Sequence, residues 1–252
     1  MGVIYSLSKQ YQMGAAQTKP QTYVRYERDA SKLIRVIETI CRENQPAILR
    51  EFIANLDCDM ANNEDIIQSL IVNSCKSREL AKTLLTSPIT YVFEFLNHIL
   101  SCDEKMFLDM YTLYEENPIL KLSDKSRLTL LASTTHEDTF DEMLPIVIKY
   151  MNSPQTLIEF FCEINDTSRC LKIINRYGSD VLIDVYICTA NPCTSVLRHG
   201  NVEVWNAIIA KKIVKSFSYD KTQQETLKRR PQVRRMLGAN WSEFENVVYI
   251  YY

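Results

Sequence analysis

Apolar residues recur along much of this chain at three- and four-residue steps, interrupted at intervals by short polar stretches. Leu33, Ile34, Ile37, Ile40 and Cys41 form the first such face, the spacing that gathers side chains on one side of an α-helix. Asp29 stands where an N-cap belongs. The polar run Arg42-Glu43-Asn44-Gln45 follows, and Pro46 then occupies a position that suits the first turn of a second helix. Ile48, Leu49, Phe52, Ile53 and Leu56 make the next face. The unit is therefore helix, short turn, helix.

The same unit recurs downstream. Polar breaks fall near residues 44, 76, 103, 138, 166 and 200, at spacings of 32, 27, 35, 28 and 34 residues. A helical pair every thirty-odd residues is the sequence sign of stacked repeats. An irregular bundle of paired helices leaves a similar trace. The expected class is all-α, with a repeat body over residues 31–215, a flexible arm over 1–30 and a basic and aromatic tail over 216–252. In the last unit, Trp205, Ile208 and Ile209 are expected to face inward, near Leu171 and Ile174.

Within that last unit, the run from Asn191 to Trp205 resembles an ankyrin repeat. Pro192 matches the family proline of the first helix and Gly200-Asn201 the turn. Val202, Glu203 and Val204 match the start of the second helix, with Ile208 and Ile209 in place of its paired leucines. Arg127-Leu128-Thr129-Leu130-Leu131-Ala132, with the family threonine and alanine, and Thr156-Leu157, with Asn165-Asp166 at the turn, are similar in part. The resemblance implies a degenerate ankyrin-like solenoid that binds other proteins through its turns and inner helices.

Composition narrows the function classes. Only 5 glycines occur in 252 residues, whereas phosphate loops and tight βα turns consume glycine. No G-x-G-x-x-G, Walker or G-x-S-x-G sequence is present. Acid pairs such as Glu115-Glu116 read as solvated helix ends. His98, His136 and His199 lie far apart in sequence and share no metal-ligand spacing. A Cys-His nucleophile pair has no local signature. No metal, cofactor or catalytic residue is expected, and the chain reads as a non-enzyme.

The eight cysteines, Cys41, Cys58, Cys75, Cys102, Cys162, Cys170, Cys188 and Cys193, form no CxxC pair. They read as reduced, small hydrophobic residues of an intracellular protein, although their even number also permits a disulfide framework. The N-terminus lacks the layout of a secretory signal, and no apolar run reaches membrane-spanning length.

Two features point to a surface. Met1-Gly2-Val3-Ile4-Tyr5-Ser6 fits the N-myristoylation pattern, with Gly2 as acceptor. One acyl chain binds membranes only marginally, so a second signal is needed, and no cysteine before Cys41 offers nearby palmitoylation. Charge supplies a candidate. Residues 31–210 carry 16 Lys/Arg against 25 Asp/Glu, whereas residues 211–235 carry nine against two. Lys228, Arg229, Arg230, Arg234 and Arg235 form the densest cluster, suited to anionic lipid, nucleic acid or an import receptor. It lacks the interleaved aromatics of a single-strand binding groove, which ranks nucleic acid lower. The apolar end, Val247 to Tyr252, is expected to pack on the body.

These features predict a protein-protein interaction adaptor with a helical-repeat body, cytoplasmic and peripherally tethered at membranes. Degenerate repeats suit a fast-diverging host-interaction protein, viral ones included. A matrix-like structural protein of a membrane-bound assembly is the alternative.

Overall fold

The structure is a computed structural model that describes residues 29–88, 91–116, 118–152, 154, 156–181, 196, 198–199, 201–210 and 228–238. Gly2, the N-terminal arm up to residue 28, the apolar end 247–252 and most of the first half of the ankyrin-like segment lie outside the described residues.

The chain is all-α: among the described residues there are 13 helices and no strand. In order they are α1 (Ala30–Arg42), α2 (Pro46–Ala54), α3 (Cys58–Ala61), α4 (Glu64–Ser74), α5 (Arg78–Leu85), α6 (Val92–Cys102), α7 (Glu104–Glu116), α8 (Asp124–Ser133), α9 (Glu137–Tyr150), α10 (Thr156–Glu163), α11 (Thr167–Val181), α12 (Val202–Ala210) and α13 (Pro231–Leu237). Among the described residues, no helix is long and apolar enough to cross a membrane.

Local chemistry sets the helix ends. Asp29 caps α1 by accepting from the Ser31 amide at 3.1 Å, and Pro46 opens α2. Asn63, Ser77, Asp103, Asp166 and Asn201 likewise accept backbone N–H groups at the starts of α4, α5, α7, α11 and α12. Such caps satisfy donors that a helix start leaves unpaired.

Two helix ends explain how so few glycines suffice. Asn44 follows α1 at φ +50° and Asn165 follows α10 at φ +59°. At each, the next amide reaches back five residues, Gln45 to Ile40 and Asp166 to Phe161. The asparagine's own amide reaches back three, to Cys41 and Cys162. This is the left-handed Schellman ending that usually takes glycine; asparagine is the next best residue for it.

The chain forms two compact units. Among the described residues, the first comprises those from Asp29 to Ser126 together with Ser133–Met143, and the second comprises Arg127–Ala132 together with those from Leu144 to Gly238. In the first unit the helices pack in two rows. α1 contacts α4, which contacts α6; α2 contacts α5, which contacts α7. Across the rows α1 pairs with α2, α4 with α5 and α6 with α7. Ile37, Leu49, Ile66, Leu70, Leu80, Leu84, Phe95 and Phe107 are fully buried in this core, each contributing about 1.5–3 kcal/mol through burial.

In the second unit α10 packs on α11, and α11 on α12. Trp205 and Ile208 of α12 are buried, as is Ile174 of α11, while Leu171 is half-buried. The boundary between the units falls inside α9, beside Pro145, which lacks the N–H that would continue the helical ladder.

The helix boundaries correct two details of the sequence reading. The break expected near residue 138 lies at 134–136, because α9 already begins at Glu137. Glu115, expected on a solvated helix end, is 1% exposed, whereas Glu116 is exposed. Glu115 falls one helical turn after the buried Tyr111 and beside the buried Tyr114, so the register of α7 draws it inward.

Candidate functional site

Within each unit the turns between helices are joined to their neighbours by side chains. In the first unit the Ser77 hydroxyl donates to the Asn44 side-chain oxygen at 2.7 Å, across 33 residues of sequence. Arg78 pairs with Asp109 at 2.8 Å. Glu104, at the start of α7, reaches the turn before α9. Its carboxylate accepts from the Thr135 amide and hydroxyl, both at 2.6 Å, and from the His136 amide at 3.2 Å. The His136 ring nitrogen Nδ1 lies 2.9 Å from the same carboxylate. In the second unit, Asn201 donates to the Thr167 hydroxyl at 2.6 Å and Arg169 to the Ala132 carbonyl at 2.9 Å.

Glu104 is the most perturbed carboxylate of this edge. Partial burial works against its ionisation, but hydrogen bonds from Thr135, Thr139 and His136 outweigh that cost and hold the carboxyl at about 2. The anion also sits at the N-terminus of α9, where helix amides favour negative charge.

Between the first two turns of the first unit lies an open cleft of about 640 Å³, lined by Glu38, Cys41, Arg42, Asn44, Asn73, Lys76 and Ser77. Lys76 donates to the Asn73 side-chain oxygen at 2.6 Å. The Cys41 thiol is buried, and burial pushes its pKa up. That keeps it protonated and unsuited to nucleophilic attack. The cleft is thus a polar recess of mixed charge.

The basic cluster is folded. Lys228 is helical, Arg229 lies in a turn, Arg230 is the extended residue before α13, and Arg234 and Arg235 lie on α13. Pro231 opens α13 as Pro46 opens α2, and Val233, Met236 and Leu237 are buried. The Arg230 guanidinium donates to the carbonyl of Arg198, 32 residues earlier. That bond sets the cluster beside the helical residues Arg198 and His199. Arg198, His199, Arg229, Arg234 and Arg235 are exposed; Lys228 and Arg230 are half-buried. Arg198 also acts on Glu159, whose carboxyl is pushed up by burial and by Glu163 and drawn down by this arginine.

Sequence reasoning did not place Arg198 and His199 in this patch, and it did not foresee α13. A signal was there: a proline after a polar run, then Val233, Met236 and Leu237 at helical spacing. The histidines are dispersed. His98 lies on α6 with its Nε2 3.7 Å from the exposed Cys102 thiol, one turn onward, a pairing readable from their four-residue spacing. Among the described residues, no group of three or more His, Cys, Asp or Glu side chains is placed to hold a metal ion. No family model, no curated protein and no solved structure matches the chain.

Proposed function

We propose that this chain is a non-enzymatic interaction adaptor that sits peripherally on anionic membranes in the cytoplasm and presents its turn edges to a partner protein. The observation that carries the membrane part is the build of α13: its apolar residues point into the fold while Arg229, Arg234 and Arg235 stay exposed. Cations fixed on a packed helix lose less freedom on meeting a charged surface than cations on an unstructured segment. Acylation of Gly2 supplies the other attachment, since neither signal alone suffices for stable anchoring.

The partner part rests on the joined turns and on the ankyrin-like segment. Asn201 lies where that family has its turn; here it caps α12 and ties its turn to Thr167. Ankyrin-like proteins engage other proteins through such turns and the inner helices beside them. The open cleft between Asn44 and Ser77 is a polar recess of the kind a partner side chain would enter.

Flotation with vesicles tests the membrane reading. The full chain without an acyl group should bind phosphatidylserine-rich vesicles weakly and phosphatidylcholine vesicles not at all. Each basic residue near an anionic leaflet contributes about 1 kcal/mol. The triple variant Arg229→Gln, Arg234→Gln, Arg235→Gln should therefore lose roughly 100-fold in affinity. Arg230 is left intact because it bonds to the Arg198 carbonyl. In eukaryotic cells, mass spectrometry of the N-terminal peptide should show myristate on Gly2, and Gly2→Ala should move the protein to the soluble fraction. An unmodified Gly2 together with equal binding to both vesicle types would remove the membrane part of the proposal.

A further inference from the structure

We infer that Cys162 and Cys170 form a dithiol–disulfide couple that can lock α10 to α11. Cys162 lies on α10 and Cys170 on α11, either side of the tight turn at Asn165. Their sulfurs are 3.6 Å apart, and the side chains are 1% and 0% exposed. This is van der Waals contact between two sulfurs in a closed interior. A disulfide needs about 2.05 Å between sulfurs, so the two atoms must approach by about 1.5 Å. The Schellman ending at Asn165 and the cap from Asp166 to the Arg169 amide hold the two helix ends that carry the pair.

The two sulfurs are not equivalent. The contact between the two thiols lowers the Cys162 pKa against the opposing effect of burial. The same contact, with burial added, pushes the Cys170 pKa up. The lower pKa favours Cys162 as the attacking thiolate, and the exchange balances equally with the two roles reversed. With a small-molecule disulfide such as oxidised glutathione, the Cys162 thiolate attacks one sulfur and expels one glutathione thiolate. The Cys170 sulfur then attacks Cys162 in the mixed disulfide and expels the second. The two protein protons end on the two glutathione thiols, so the protein is oxidised and glutathione reduced, two electrons in all. Burial confines the exchange to the folding chain or to transient openings of the α10–α11 pair. In a reducing compartment the couple stays open. This inference does not depend on the membrane or partner reading.

The test refolds the full chain from denaturant in glutathione buffers of graded redox ratio, traps free thiols and maps peptides by mass spectrometry. A Cys162–Cys170 link should appear in most folded molecules at the oxidising end and disappear with dithiothreitol. It should raise the thermal midpoint by about 5 °C or more. Cys162→Ala and Cys170→Ala, both apolar replacements, should abolish that redox-dependent shift while still folding. The inference is overturned if no such link forms at any ratio, if linkage is spread evenly over the eight cysteines, or if the link lowers the midpoint. A redox-dependent shift that persists in both alanine variants would overturn it as well.

Discussion

Trp205→Ala should cost about 3–5 kcal/mol of folding stability. Trp205 is among the largest fully buried side chains described and lies on α12, which packs against α11. Removing an indole there deletes its burial energy and leaves a void in the core where α12 meets α11. Domains of ordinary stability hold about 5–15 kcal/mol in total, so the variant's second unit should be close to its threshold at body temperature. Guanidinium unfolding followed by far-ultraviolet circular dichroism measures this without relying on the lost fluorophore. A change below about 1 kcal/mol would mean that α12 does not make the packing described.

Acid should weaken the fold through Glu104. In the unfolded chain its carboxyl returns to the ordinary value of 4.5, while in the fold it stands at about 2. A carboxyl depressed by folding stabilises above its unfolded value, and that contribution fades as the pH falls toward the folded one. The window is therefore pH 4.5 down to about 2, and the contribution is at most about 3 kcal/mol. Solvent screening takes a share of it, since Glu104 is half-buried and faces the exposed His136 ring. Glu104→Gln should lose part of that amount at neutral pH and lose its disadvantage near pH 2. The measurement is urea unfolding of both proteins from pH 7 to pH 2.5. A gap between them that stays constant with pH would show that the carboxylate's charge contributes nothing.

How far the sequence foretold this molecule depends on the range of the interaction concerned. Asp29 and Pro46 announce α1 and α2 because caps and first-turn prolines act on their immediate neighbours. The breaks near 44, 76, 103, 166 and 200 were legible for the same reason. The buried ring of Trp205 followed from its spacing with Ile208. What escaped was set by contacts between turns. Glu104 reads as an ordinary first-turn acid, and nothing near it announces that Thr135 and His136 will surround it. Arg230 reads as one charge in a run, although its bond to Arg198 is what gathers the basic patch. Charge density masked the apolar positions of α13, since Val233, Met236 and Leu237 are flanked by five cations. The Cys162–Cys170 contact lies between these cases: eight residues apart, across a turn whose asparagine had to adopt a left-handed backbone before the two sulfurs could meet.

The two-row packing of the first unit also bears on how the chain is made. A helix there meets its row neighbour in the very next pair, and the Ser77–Asn44 bond spans 33 residues. Contacts of such short reach form quickly and need little of the chain present. Synthesis delivers the N-terminal part first, so a ribosome that has released residues 29–116 has already supplied every row partner of α1 to α7. Glu104 is the exception. Its hydrogen-bond donors arrive only with residues 135–139, and until then a nascent chain holds an ionised carboxylate waiting for the turn that will close over it.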